Sequence, residues 1–348
     1  MTSRIRRFDL KLTHTWRIAR GTGTSVFPVV LYELTDANGI TGIGESAPIA
    51  RYDESVDTVE AFLGKVDASR LSFADPAAGM RYLDSIATGQ HAAKCAVNIA
   101  LLDGAAKIAR QPIHDFLKLG FTEGKHITSF SIGIDTPDVI REKVRAAAAF
   151  PVLKLKVGTP DEESNFAALR EMAPDKPVRV DANEGWKTRE EALRRIEWLA
   201  RDGHVQFVEQ PMPAATPASD WAWLKTRSPL PIFADESYHN AADASRVADC
   251  FHGVNVKLVK TAGISGAHEA LLAARQQGLK TMIGCMIETS VLISAAAHLA
   301  ELADHLDIDG NILASNDPYL GPTSDRGVIS FAAAPEPFGL RIRPRPPG

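Results

Sequence analysis

Three carboxylates stand at matching places in three consecutive short apolar segments. Asp181 closes VRVD, Glu209 closes VQFVE, and Asp235 follows PIFA. Lysines mark two more segments: Lys154 and Lys156 in VLKLKVG, and Lys257 in VNVK. Oxygen donors on separate rigid segments suit a hard octahedral cation, Mg²⁺, with waters and substrate oxygens completing its shell. The His or Cys that zinc recruits are not part of this set. Any one of these carboxylates alone would read as a salt-bridge partner or a helix cap, whereas three in register argue for a metal. Period-two alternation puts Lys154 and Lys156 on one face of a strand. A neighbouring cation and partial burial both lower a lysine's pKa, so Lys156 beside Lys154 reads as a general base, with Lys257 as its opposite number. Lys154 and Lys260 read equally well as counterions of the carboxylates. Two lysines and a divalent cation fit removal of a proton next to a carboxylate. The cation steadies the enediolate charge, one lysine takes the proton, and the other returns one to the opposite face, inverting the centre.

That chemistry needs strands whose ends converge. From Val152 to Gly310 one short unit recurs as VLKLKVG, VRVDANEGW, VQFVEQP, PIFADES, VNVKLVK, KTMIGCMIE and HLDIDG. Each opens apolar, ends polar and leads into a helix-like stretch. The endings of neighbouring units lie roughly 22 to 28 residues apart, the length of a buried strand plus a crossover helix. Repetition of such units predicts an α/β parallel barrel whose strand ends share one mouth. A doubly wound open sheet is the weaker alternative, because no Gly-rich phosphate loop follows a first strand. On a ring of about eight strands, the second and sixth face each other. Lys156 and Lys257 would then flank a substrate, with the three carboxylates between them.

The barrel is expected to occupy residues 121–315 and to open with a strand over Ile127–Gly133. Residues 1–120 read as a separate α+β domain. Strands are expected at Ile5–Leu12, Val29–Leu34 and Ile40–Glu45, with a hairpin turn at Asp36–Gly39. Helices are expected at Ser55–Val66, Pro76–Ser85 and Ala92–Ile108, the last apolar on more than one face and so buried. A Gly-rich loop, WRIARGTGT from Trp16 to Thr24, and a polar loop, APIARYDES from Ala47 to Ser55, fall between these elements. Residues 316–348 are rich in Pro and Gly, hold one strand-like piece over Gly327–Phe331, and are expected to return to the first domain and end in a frayed tail.

The chain has 348 residues, 45% hydrophobic and 24% charged, an ordinary globular balance. A formal net charge of -4 gives no basic surface for nucleic acid or anionic membrane. The apolar runs are strand-sized, too short to cross a bilayer, and the N-terminus lacks a signal peptide's apolar core. Cys95, Cys250 and Cys285 are odd in number and scattered, which fits reduced thiols in a cytoplasmic protein.

Lys154-x-Lys156, Asp181-Ala182-Asn183, Glu209-Gln210-Pro211, Asp235-Glu236-Ser237 and Lys257 occur in order at barrel spacing. Together they closely resemble the muconate lactonising enzyme-like subgroup of the enolase superfamily. The resemblance covers nearly the whole chain, although Ala262-Gly263 stands where two glycines are frequent. It implies an enolase-like (β/α)7β barrel with an α+β capping domain, Mg²⁺ on Asp181, Glu209 and Asp235, Lys156 and Lys257 as the acid/base pair, and Lys154 in support. The subgroup cycloisomerises muconate, makes o-succinylbenzoate, racemises N-acyl amino acids and epimerises dipeptides. Asp307-Ile308-Asp309 sets two carboxylates on one face at the rim, which is costly unless a cation sits between them. The ammonium of a dipeptide is such a cation, and this position looks like the mark of the dipeptide epimerases. A solvated acidic turn is the plainer reading. Arg20 resembles the position that meets an acidic side chain, as in L-Ala-D/L-Glu epimerases serving murein peptide turnover, with Arg51 as a substitute. Ser131 and Glu288, at strand ends, are expected to line the pocket, and Cys285-Met286 to be packing. The expected partner is therefore a small dipeptide, handled by a homo-oligomer. An N-acyl amino acid racemase or o-succinylbenzoate synthase is the alternative on the same site, and a non-catalytic barrel the alternative of another class.

Overall fold

The computed structural model describes residues 1–346. It begins with an antiparallel sheet of β1 (Thr2–Trp16), β2 (Thr24–Thr35) and β3 (Thr41–Ser46), in the order β1-β2-β3. The β2–β3 turn is set by Asp36, whose Oδ1 accepts the N–H groups of Asn38 and Ile40 at 2.9 Å each. β1 is longer than its alternation predicts. After a register shift between Lys11 and Trp16 it carries on past Leu12, which bridges to Ala314.

Helices α1 (Val56–Leu63), α2 (Pro76–Ile86), α3 (His91–Ile108) and α4 (Ile113–Phe116) follow. Ser55 caps α1 through a reciprocal box with Thr58, and Asp75 caps α2 ahead of Pro76. α3 is buried from Ala92 to Ala106 and lies directly on β3. Gly42 and Gly44 permit this approach. A Cβ on Gly44 would stand 1.9 Å from the Ala96 carbonyl oxygen, and one on Gly42 1.9 Å from that of Ala100.

The second body is a ring of parallel strands: β4 (Phe130–Ile132), β5 (Leu153–Lys156), β6 (Val178–Asp181), β7 (Val205–Glu209), β8 (Ile232–Ala234), β9 (Gly253–Lys257), β10 (Lys280–Gly284) and β11 (His305–Asp307). The crossovers carry α5 (Pro137–Ala146), α6 (Glu162–Met172), α7 (Arg189–Ala200), α8 (Ala218–Lys225), α9 (Ala244–Ala248), α10 (Ile264–Gln276) and α11 (Ser290–Ala297). Strands pair in chain order, and the ring is completed by a parallel bridge from Thr128 to Leu306 and by Ser129 N–H on the Leu306 carbonyl at 3.1 Å. Seven strand–helix units followed by a last strand make the expected (β/α)7β barrel with an antiparallel cap. Phe207, Phe233 and Met282 form a separate buried cluster, with Phe207 and Phe233 stacked at 4.2 Å. Side chains therefore fill the barrel, as its closure requires.

The C-terminal segment crosses back over the first sheet's helices. Leu340 N–H reaches Asp103 Oδ1 at 2.8 Å, and Ile113 N–H the Gly339 carbonyl at 3.1 Å. A short ladder pairs β12 (Tyr319–Leu320) with β13 (Arg343–Pro344). Two expectations fail here. Gly327–Phe331 forms no strand, only isolated bridges from Val328 to Ile127 and from Ser330 to Thr323, because Gly327 and the Arg326 before it turn left-handed. Nor is the tail frayed as far as Arg345, whose N–H bonds the Pro318 carbonyl at 2.8 Å and whose Nε bonds that of Asp317 at 3.1 Å. Pro347 and Gly348 of that tail lie outside the described residues. Among the described residues no helix is long and apolar enough to cross a membrane.

Candidate active site

A cavity of about 410 Å³ opens at the C-terminal ends of the barrel strands, roofed by the cap. Ser131, Lys156, Asn183, Asp235, Glu236, Lys257, Asp307 and Asp309 line it from below. Trp16, Ile18, Arg20, Phe27, Ile49, Arg51 and Tyr52 line it from the cap. β5 and β9 are separated by three strands in either direction round the ring, so Lys156 and Lys257 come from opposite sides.

Asp181, Glu209 and Asp235 sit fully buried on β6, on β7 and just past β8, with Asp181 and Glu209 paired in register. Lysines hold all three. Lys154 Nζ lies 2.7 Å from Glu209 and 3.2 Å from Asp181, Lys156 Nζ 2.6 Å from Asp181, Lys257 Nζ 2.9 Å and Lys260 Nζ 2.6 Å from Asp235. Burial raises all three carboxyls. Lys156 and Lys154 nonetheless hold Asp181 below its ordinary value, and Lys257 and Lys260 hold Asp235 well below. Glu209, with burial and Asp181 both working against its charge, is pushed up to about 7. Its Oε2 is the atom that faces Lys154 Nζ, at 2.7 Å, and its Oε1 takes Asn255 Nδ2 at 2.8 Å. Among the described residues no three acidic, His or Cys side chains close on one point as a finished ion cage. The donor set still fits a hard divalent cation: three buried carboxylates, oxygen only, mutually repelling, with Glu209 pushed up by burial and by Asp181.

The Asp-x-Asp pair divides. Asp307 Oδ2 takes Lys154 Nζ at 2.6 Å, and its Oδ1 takes Ser129 Oγ at 2.7 Å and Ser131 Oγ at 3.2 Å. Lys154 holds Asp307 well below the carboxylate range despite burial. Asp309 makes no salt bridge among the described residues. Its Oδ2 accepts Ser131 N–H at 2.6 Å, and burial with the charge of Asp307 pushes it up to about 7. Ser131 lines the cavity as expected. Glu288 does not: it is buried away from the cavity wall, accepts Met286 N–H at 2.9 Å, and is pushed up to about 7 by burial. Its place next to the α11 N-terminus, rather than at the strand end itself, turns it inward. Cys285 and Met286, expected as packing, do line the cavity, and Met286 Sδ stands 3.9 Å from Lys257 Nζ.

Arg20 and Arg51 both line the cavity, and both are already paired. Arg20 Nη1 meets Glu184 at 2.6 Å and also contacts Glu236. Arg51 grips Glu184 with Nε and Nη2 at 2.9 Å each. Glu184 escapes a motif reading, since its partners lie 164 and 133 residues away. Trp16, whose ring lies 5.8 Å from Lys156 Nζ, escapes it too. The sequence signal available for Trp16 was its place at the head of the Gly-rich loop.

Comparison with known proteins agrees with this geometry. The family model for the mandelate racemase / muconate lactonizing enzyme N-terminal domain matches residues 3–118, and that for the enolase C-terminal domain-like fold matches residues 139–333. The chain is 62% identical to the L-Ala-D/L-amino acid epimerase of Pedosphaera parvula, over 96% of this chain and 97% of that one. Among solved structures, the substrate-liganded L-Ala-D/L-Glu epimerase of Bacillus subtilis superposes with a TM-score of 0.90 at 27% identity, covering 98% of both chains. The dipeptide epimerase of Enterococcus faecalis, complexed with Mg and L-Leu-L-Tyr, gives 0.87 at 29%, again covering 98% of both. The chain belongs to the mandelate racemase/muconate lactonizing enzyme family of the enolase superfamily, and it is an isomerase of the racemase and epimerase class.

Proposed function

We propose that this protein is a Mg²⁺-dependent dipeptide epimerase that inverts the α-carbon of the C-terminal residue of an L-Ala dipeptide, with a glutamyl residue among its substrates. The observation that carries the reading is the opposition of Lys156 and Lys257 across the three carboxylates, with Asp309, which makes no salt bridge among the described residues, at the rim. The 62% identity to an L-Ala-D/L-amino acid epimerase supports it. In this reading the chain divides into a cap of residues 1–120, a barrel of 121–315 and a returning segment of 316–348.

Asp181, Glu209 and Asp235 would hold Mg²⁺, which when bound would supply positive charge where negative charge builds as the α-proton leaves. One lysine of the pair, as the neutral amine, takes the α-proton from one face. The other, as the ammonium, gives a proton to the opposite face. The reverse reaction exchanges their roles, and solvent resets both. Lys154 stays charged between Asp181, Glu209 and Asp307, fixing the carboxylates and placing a cation next to Lys156. Asp309, with Ser131 orienting it, takes the substrate ammonium, and that pairing satisfies a carboxylate that burial otherwise disfavours. Trp16, Ile49 and Tyr52 exclude water from above. Following L-Ala-L-Glu by optical rotation tests the reading. Conversion toward the L,D epimer with Mg²⁺, abolished by chelation, is the expected result, and a static signal with every L-Ala dipeptide overturns it.

A further inference from the structure

Glu184 is the barrel carboxylate with the most donors on it. Oε2 accepts Arg20 Nη1 at 2.6 Å and Arg51 Nε at 2.9 Å, while Oε1 accepts Arg51 Nη2 at 2.9 Å and Ala214 N–H at 2.7 Å. Its backbone is left-handed, with φ of +66°, directly after Asn183 at +43°. Two successive side-chain-bearing residues in that region are held there by their surroundings. Glu184 N–H bonds the Gln210 carbonyl at 2.9 Å. Gly185 next to it packs so closely on Gly158 that a Cβ would come within 2.5 Å of the Gly158 Cα. The same Gly158 lies under Ala19 of the cap loop, where its own Cβ would meet the Ala19 methyl at 3.1 Å. The Arg20 loop is thus seated on the segment that presents Glu184.

Glu184 does not line the cavity; the two arginines in front of it do. It therefore acts through them, as a positioning residue. Arg20 presents only Nη1 to its partners, to Glu184, to Glu236 and to the Asn183 carbonyl at 3.3 Å. Nε and Nη2 make no hydrogen bond among the described residues. Although burial raises the Glu184 carboxyl, Arg51, Ala214 N–H and Arg20 outweigh it and hold the group below its ordinary value. Glu184 and Glu236 thus oppose the two arginines within this corner, although burial and Asp235 raise Glu236.

The corner's place on the ring gives this opposition a meaning, on the dipeptide epimerase reading above. The ammonium site is on β11, and the strand opposite β11 is β7, four steps away in either direction. With the α-carbon between Lys156 and Lys257, the C-terminal residue's side chain points away from the ammonium. It then enters the arc from β6 to β8, where Asn183, Glu236 and the arginines line the wall. We infer that Glu184 determines specificity at this subsite: by neutralising Arg20 and Arg51 from behind, it admits uncharged side chains alongside acidic ones. An unopposed arginine pair would instead select for an anion, because only an anion would pair with its charge at this partly exposed wall.

The test is the ratio of kcat/KM for L-Ala-L-Glu to that for the isosteric L-Ala-L-Gln, measured in the wild type and in two variants of opposite sign. Glu184→Gln removes one negative charge and should raise the ratio about tenfold through KM. Arg51→Gln removes one positive charge and should lower it by a similar factor, as one unit charge near a partly buried subsite demands. A structural defect lowers both substrates together and leaves the ratio unmoved. An unmoved ratio in both variants, with the wild type epimerising the dipeptides, overturns the inference alone. A wild type that epimerises neither overturns the functional reading and the inference with it.

Discussion

Lys154 and Asp307 are partners across the barrel: Nζ stands 2.6 Å from Oδ2, tying the second strand of the ring to the eighth. The contact commits one half of the Asp-x-Asp pair to the lysine that braces Asp181 and Glu209, and leaves Asp309 without a salt-bridge partner among the described residues. The two aspartates thus take different work despite identical chemistry. Asp307 is held charged by Lys154, while Asp309 is raised toward neutrality by burial and by Asp307 itself.

Asp309 must be ionised to hold an ammonium. With its carboxyl pushed up to about 7 in the free protein, protons compete with substrate below that pH. KM for dipeptides should therefore rise as pH falls from 8 to 6, with kcat changing less. Asp309→Asn should raise KM by about tenfold to a hundredfold, the worth of one hydrogen bond to a charged group, and should flatten the pH profile of KM. An Asn variant with wild-type KM would remove Asp309 from the ammonium site.

If the two lysines serve opposite faces of one carbon, as proposed, their losses should be stereochemically distinct. Lys156→Ala and Lys257→Ala should each abolish epimerisation, by a factor of at least about 10²–10⁴. Each variant should keep slow α-proton exchange from one epimer only, and from opposite epimers. Equal residual exchange from both epimers in either variant would contradict the face assignment.

Chelation should remove activity without unfolding the protein, because the carboxylates keep their lysine partners when no cation is bound. Added Mg²⁺ should raise the melting temperature with saturating dependence, as a ligand of the native state alone does. The Asp235→Asn variant should lose most of that shift. A melting temperature indifferent to Mg²⁺ at millimolar concentration would count against the carboxylate site.

Away from the mouth, His114 and His298 meet with Nδ1 atoms 2.8 Å apart, and His298 stacks on Phe331 at 4.4 Å. Burial lowers both imidazoles, His298 well below its ordinary value. The sign follows from linkage. The unfolded chain takes up protons first, near pH 6.5, so the pair's contribution is intact above that pH and is lost as pH falls below it. The pair pulls the melting temperature down between pH 7 and pH 5, against Glu209, Glu288 and Asp309, which are raised to about 7 and whose protonation in the folded state works the other way. His298→Asn should therefore shift the slope of melting temperature over this window toward greater stability at acid pH. Parallel slopes for the two proteins would show that the pair is not the acid-sensitive element.

Much of this was legible in the chain. Parallel buried strands advertise themselves as apolar runs, and a barrel forces their ends to one side, so Asp181, Glu209, Asp235, Lys156 and Lys257 fell into place from spacing. Glu184 was not legible, because its meaning lies in Arg20 and Arg51, which approach from the cap across more than a hundred residues of chain. The division between Asp307 and Asp309 was hidden for the same reason: only the closed ring brings Lys154 to one and not the other. Glu288 follows its strand by four residues and turns inward just ahead of α11. The stretch Gly327–Phe331 has strand composition, but the left-handed backbone at Arg326 and Gly327 leaves it only single bridges.

The most direct test follows α-proton exchange by NMR in D₂O with Mg²⁺, comparing L-Ala dipeptides with N-acetyl and N-succinyl amino acids. Exchange confined to the C-terminal α-position of dipeptides is the result this account predicts. Exchange with the N-acyl compounds, and not with dipeptides, would contradict it.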